Sequence, residues 1–135
     1  MIKGLDHIAI AVRDLDAAVR LWTDTFQVPL THREIVHEQL VEVALIKLGH
    51  LRIELVSPIS SDSPVAKFIE KRGEGIHHFA VESGSTQETL DRMQQQGIPL
   101  IDKTARGGAE GSHIGFIHPK ALGGVLVEVV DHRKE

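Results

Sequence analysis

A chain of 135 residues, 41% hydrophobic and 25% charged, has the size and make-up of one compact soluble domain that buries a core without disulfides. It contains no cysteine, which excludes disulfide frameworks, thiolate zinc sites and cysteine nucleophiles. The net charge of -4 comes with scattered basic residues, so nucleic-acid binding has no electrostatic footing, and no stretch approaches the roughly 20 apolar residues that span a bilayer.

The opening segment LDHIAIAV is apolar and β-branched and predicts a buried strand over 5–12. Asp14 is a natural N-cap, and Leu15, Ala18, Leu21, Trp22 and Phe26 recur at helical spacing, which predicts an amphipathic helix of about three turns. A second strand follows through about Val36. Two more are expected over 40–48 and 51–56, joined by the two-residue link Gly49-His50. Ser63 as cap and Pro64 at the first helical position then predict a short helix over 65–71.

From Gly75 the chain repeats itself. GIHHFAV aligns with GLDHIAI, placing His78 opposite His7, and a helix is expected over 86–96, ending at Gly97. Ile98-Pro99-Leu100 echoes Val28-Pro29-Leu30, and strands over 112–118 and 124–130 close the copy. LVEVV there stands where RIELV stood, so Glu128 matches Glu54. Both halves therefore read β-α-β-β-β within a single domain: module one over about 1–58, a connector over about 59–73, module two over about 74–131. Two copies make a duplication, not a solenoid.

Nine histidines are many for so short a chain, and imidazole is the commonest nitrogen ligand for metals. Equivalent positions of two packed modules lie around a pseudo-twofold axis, so His7, Glu54, His78 and Glu128 are expected to share one divalent metal. Such a nitrogen/oxygen set suits Zn²⁺, Co²⁺, Ni²⁺, Mn²⁺ or Fe²⁺. Taken singly, each residue has a plainer explanation, since a lone histidine in an apolar strand is usually a core residue. A glutamate between Ile53 and Leu55 is harder to explain, because a bare buried carboxylate is too costly. The remaining histidines carry less. His77 alternates to the opposite face from His78, His50 and His132 read as solvated, and His32, His37, His113 and His118 are placed to approach a pocket rim but are not singled out by the repeat. Gly107-Gly108-Ala109-Glu110-Gly111 lacks the lysine and flanking elements of a phosphate loop and reads as a mobile loop.

The segments LDHIAIAV, IELVSP, SPVAKFIEKRGEGIHHFAVE and HPKALGGVLVE resemble the methylmalonyl-CoA epimerases of the vicinal-oxygen-chelate (glyoxalase) superfamily, over nearly the whole chain. The resemblance implies an α+β fold whose two βαβββ modules form a curved, mixed half-barrel sheet around a metal. It places the metal ligands on His7, Glu54, His78 and Glu128. It implies an isomerase of propionate metabolism that interconverts 2R- and 2S-methylmalonyl-CoA, with one divalent ion, cobalt foremost, as Lewis acid. Glu128 is one acid/base candidate. Some family members carry a glutamate in the third strand where this chain has Val43. The hairpin at Gly49-His50 pairs Leu45 with Glu54, so neighbouring Glu42 points away unless a bulge intervenes. Glu38, Gln39 or a water then remain for the second role. Lys120 and Arg106 are candidate contacts to the CoA anion, a homodimer is implied, and cytoplasmic placement agrees with the absence of cysteine and of an N-terminal signal peptide. Glyoxalase I chemistry and a non-catalytic binding module of the same superfamily are the competing functions.

Overall fold

The structure, a computed structural model, describes residues 1–134. They fall into two compact units, one formed by His7–His77 and the other by Met1–Asp6 together with residues 78–134.

β1 (Ile2–Ala11), which enters the first unit at His7, leads into α1 (Leu15–Phe26), then β2 (Leu30–Val36), β3 (Val41–Leu48), β4 (Leu51–Pro58) and α2 (Pro64–Arg72). Asp14 caps α1 by accepting the Ala17 N–H at 3.0 Å, and Gln27 closes it in the left-handed region. Leu15 and Ala18 of α1 pack with Val12, Ala44, Ile46, Ile53 and Leu55, which is the helix-covered side of the sheet. The strand order is β2-β3-β4-β1. The hairpin register is the one the two-residue link predicts, with Leu48 opposite Leu51 and Leu45 opposite Glu54. β1 runs parallel to β4, with Ala9 opposite Glu54. Ser63 accepts the Val65 N–H at 3.2 Å, and Pro64 opens α2 as the sequence indicates.

β5 (Gly75–Ser83), which belongs to the second unit from His78 onward, precedes α3 (Thr86–Gln95), β6 (Arg106–Gly107), β7 (His113–Ile117) and β8 (Val127–Asp131), and the order is β5-β8-β7-β6. Ser85 caps α3 through the Glu88 N–H. Leu90 of α3 is fully buried on Gly115 of β7, where an added Cβ would meet Leu90 Cδ1 at 2.6 Å.

This copy departs from the expected pattern in three places. The strand expected after Gly97 is reduced to one bridge, Leu100 to Ile117, because the Asp102 carboxylate takes the Phe116 N–H at 2.9 Å and so replaces a backbone partner. The last strand begins at Val127 and not at residue 124. A 3-10 turn over Pro119–Leu122 and the positive φ of Gly123 and Gly124 hold the preceding chain out of the sheet. The glycine-rich segment expected to be mobile is a closed turn, with the Gly108 N–H on the Ser112 carbonyl at 3.0 Å. Among the described residues no helix is long and apolar enough to cross a membrane.

Candidate metal centre

The repeat is most exact at the histidines and glutamates. In the first unit Ala9 stands opposite Glu54; in the second Ala80 stands opposite Glu128. Paired residues share a face, and so do residues two apart on one strand, so His7 lies on the face of Glu54 and His78 on that of Glu128. Both alanines are fully buried, and their single methyl groups leave the space above each strand pair to the longer side chains. His7 Nε2 lies 3.6 Å from Glu54 Oε2, and His78 Nε2 lies 3.7 Å from Glu128 Oε2. The four residues are 4%, 9%, 5% and 4% exposed, in the order His7, Glu54, His78, Glu128.

These spacings fit two ligands of a common ion. Bonds of about 2.1 Å at a tetrahedral centre separate ligand atoms by about 3.4 Å, close to the distance in each half. Burial supplies the second argument: a carboxylate removed from water needs a cation or strong donors, and a metal ion meets that need. Phe116 of β7 stands opposite Glu128 and presents a T-shaped contact to His78, with centroids 5.0 Å apart and planes at 87°. That contact fixes the imidazole plane beside an apolar wall.

The other sequence candidates are placed elsewhere. His77 packs edge-on against Phe68 at 4.9 Å, and burial pushes its imidazole down to about 4, so it is neutral at physiological pH. Glu42 pairs with Ser57 and not with a Glu54-face position, and it accepts from Arg33 Nε at 2.9 Å. The β3–β4 register is continuous, so no bulge turns Glu42 inward. Glu38 and Gln39 lie in the 3-10 turn after β2. Arg106 is engaged by Asp102, Nε to Oδ1 at 3.0 Å, whereas Lys120 is exposed in the turn before β8. His132, read from the sequence as solvated, is exposed and also contacts Asp6 at 2.8 Å.

Two polar groupings were not legible as pairs. His113 Nδ1 lies 2.9 Å from Asp131 Oδ1, while the Thr86 N–H donates to Asp131 Oδ2 at 2.6 Å. Burial acts to raise the Asp131 pKa, but the hydrogen bonds from Thr86, His113 and Arg133 together hold it below its ordinary value. On β2, His32 Nε2 lies 2.7 Å from Glu34 Oε1; alternation along the strand was the available signal, since it puts both side chains on one face.

Residues 6–116 match the family described as the Glyoxalase/Bleomycin resistance protein/Dioxygenase superfamily. The chain is 35% identical to the ethylmalonyl-CoA/methylmalonyl-CoA epimerase of Cereibacter sphaeroides, over 96% of this chain and 98% of that one. The crystal structure of methylmalonyl-CoA epimerase from Mycobacterium tuberculosis superposes with a TM-score of 0.94 at 39% identity, covering 98% of this chain and 90% of that one. A variant of the Streptomyces coelicolor methylmalonyl-CoA epimerase in complex with 2-nitronate-propionyl-CoA gives 0.93 at 34%, covering 97% and 95%.

Proposed function

Because the chain belongs to the Glyoxalase/Bleomycin resistance protein/Dioxygenase superfamily and, within it, to the methylmalonyl-CoA epimerase family, we propose that it interconverts 2R- and 2S-methylmalonyl-CoA by α-proton removal and return. The observation that carries this reading is the matched pair of buried imidazole and carboxylate in each half, His7 with Glu54 and His78 with Glu128. We assign all four residues to one divalent ion. When bound, such an ion supplies Lewis acidity to the thioester carbonyl and so lowers the cost of the developing negative charge.

The chain's own residues carry the rest. A carboxylate base is far weaker than the carbanion it must generate, so the site has to stabilise the transition state by several kcal/mol. Glu128 sits in a water-poor strand beside Phe116, and its carboxylate takes the α-proton from one face and holds it for return. Its pairing with His78 fixes where the acidic hydrogen must arrive. The low exposure of Glu54 and of Glu128 keeps bulk water away from each carboxylate. Exposed Lys120 is the candidate contact for the CoA phosphates. Cobalt is the favoured metal, with zinc, nickel and manganese compatible with the same donor set. A cytoplasmic homodimer acting in propionate metabolism completes the proposal.

Incubation of the purified protein with one epimer of methylmalonyl-CoA, coupled to a mutase that accepts only the other epimer, tests the assignment. Turnover there, without turnover of methylglyoxal plus glutathione, is the expected result. The reverse pattern assigns glyoxalase I chemistry instead, and inertness toward both leaves a binding protein.

A further inference from the structure

In both halves the residue opposite the buried glutamate sits on the strand that precedes it: Leu45 opposite Glu54, Phe116 opposite Glu128. The two are held differently. Leu45 has a neighbouring strand, β2, which pairs with it through His32. β6 is two residues long and pairs with His113 and Ile114, so it stops short of Phe116. A buried backbone N–H and C=O still need partners, and Asp102 serves both. Its carboxylate Oδ2 accepts the Phe116 N–H at 2.9 Å. Its own N–H donates to the Phe116 carbonyl at 3.2 Å, beside that of Ile101 at 2.9 Å. Arg106 of β6 steadies the carboxylate, donating from Nη2 to Oδ2 at 3.3 Å with Nε 3.0 Å from Oδ1.

We infer that Asp102 is a positioning residue for His78, acting through Phe116, an inference that rests on the assignment of His78 to a metal above. Both backbone polar groups of Phe116 are taken on the side away from β8. Phe116 and Glu128 therefore form a non-hydrogen-bonded pair, the kind whose side chains lie closer together. From there the ring reaches over β8 to His78 on β5 and meets it edge-on, with centroids 5.0 Å apart and planes at 87°. The ring is the far end of a lever whose fulcrum is the Phe116 backbone, and Asp102 holds that fulcrum. An edge-on contact between rings favours one mutual tilt. An aliphatic side chain has no plane, so Leu45 cannot supply the same control opposite Glu54.

The consequence falls on ion binding more than on folding. A ligand ring already held at its tilt loses little freedom when an ion arrives, whereas a released ring has to be ordered at that moment. Removing the Asp102 carboxylate frees the Phe116 N–H at a strand edge, where water can replace the lost acceptor, and the ring loses its fixed base. Asparagine at position 102 keeps an acceptor oxygen at the same reach along the side chain. It gives up the charge that Arg106 meets but preserves the contact to Phe116.

The test compares the full wild-type chain with Asp102→Ala, Asp102→Asn, Phe116→Leu, the Asp102→Ala, Phe116→Leu double variant and Ile114→Val. Ile114 shares the Phe116 face of β7 and serves as the packing control. Two quantities are read: the Co²⁺ dissociation constant by titration, and the His78 imidazole signals by NMR of the Zn²⁺-loaded protein. Asp102→Ala and Phe116→Leu are each expected to raise the Kd by about two- to tenfold, the contribution of one ring contact, and to shift the His78 signals. The double variant is expected to match Phe116→Leu, because both changes act through one ring. Asp102→Asn and Ile114→Val are expected to keep the wild-type Kd and signals, even where the thermal midpoint falls. Wild-type affinity and His78 signals in Asp102→Ala overturn the assignment, as do single effects that add in full in the double variant. An Asp102→Asn protein as weak as Asp102→Ala overturns it too, since the Phe116 N–H is then not the contact that counts. Phe116→Leu at wild-type affinity does the same, and that result does not require Asp102→Ala to fold. Wild-type protein that takes up no ion overturns the metal assignment itself, and this inference with it.

Discussion

Leu45 stands directly opposite Glu54 in the β3–β4 pair, and this single register decides which neighbours can act with the glutamate. Val43 falls on the face of Glu54, and Glu42 falls on the other with Arg33. Glu42 is therefore a surface ion-pair partner facing away from Glu54. Glu42→Gln is expected to cost no more than about 1 kcal/mol of stability, the range for exposed pairs, and to leave epimerisation within about twofold of wild type. Urea titration and a coupled assay check both.

Asp131 predicts the acid limb of the stability curve. Its carboxyl titrates below the ordinary 3.8 because the hydrogen bonds from Thr86, His113 and Arg133 outweigh its burial. A depressed acid stabilises the fold fully above its unfolded value, and that contribution is lost as pH falls through the folded value. Stability should thus decline below about pH 4 in the wild type and less steeply in Asp131→Asn. The variant should also be weaker at pH 7 by about 1–3 kcal/mol, through the disturbed contacts to Thr86 and His113. Chemical denaturation from pH 3 to pH 7 checks the slope and its sign.

Gly115 marks the closest helix-to-sheet approach. A Cβ there would lie 2.6 Å from Leu90 Cδ1, and Leu90 is fully buried. Gly115→Ala should cost about 1–3 kcal/mol through overpacking. The cost should shrink in a Leu90→Ala background, where the space has already been opened. A thermodynamic double-mutant cycle measures that coupling.

Much of this was legible in the sequence, for definite reasons. Asp14 and Ser63 marked helix starts because caps are local chemistry, and Gly49-His50 fixed a register because a two-residue link leaves one way to pair Leu48 with Leu51. The equivalence of His7 with His78 and Glu54 with Glu128 came from duplication, which turns four unremarkable residues into two matched pairs. What was missed depends on contacts between residues with no common period. Asp102 capping the Phe116 N–H shortened a strand whose sequence reads as extended, and His132 found Asp6 across 126 positions of chain. The His32–Glu34 contact joins residues two apart on one strand, but the face it occupies depends on the register shift beside Leu30, which no turn residue announces.

A ligand that binds only the folded protein raises its stability by mass action. Co²⁺ at a hundred times its dissociation constant should add about 2.7 kcal/mol, visible as a raised thermal midpoint that a chelator reverses. The same addition should leave the midpoint of a His7→Ala, His78→Ala double variant nearly unchanged.

The most direct measurement is the metal content of the purified protein after loading with Co²⁺ and desalting, read by elemental analysis beside Glu54→Ala and Glu128→Ala. About one divalent ion per wild-type chain, reduced in both variants, is the predicted result. Full retention by both variants, or no retained ion in the wild type, contradicts the claim that the two halves of the duplication hold one cation between them.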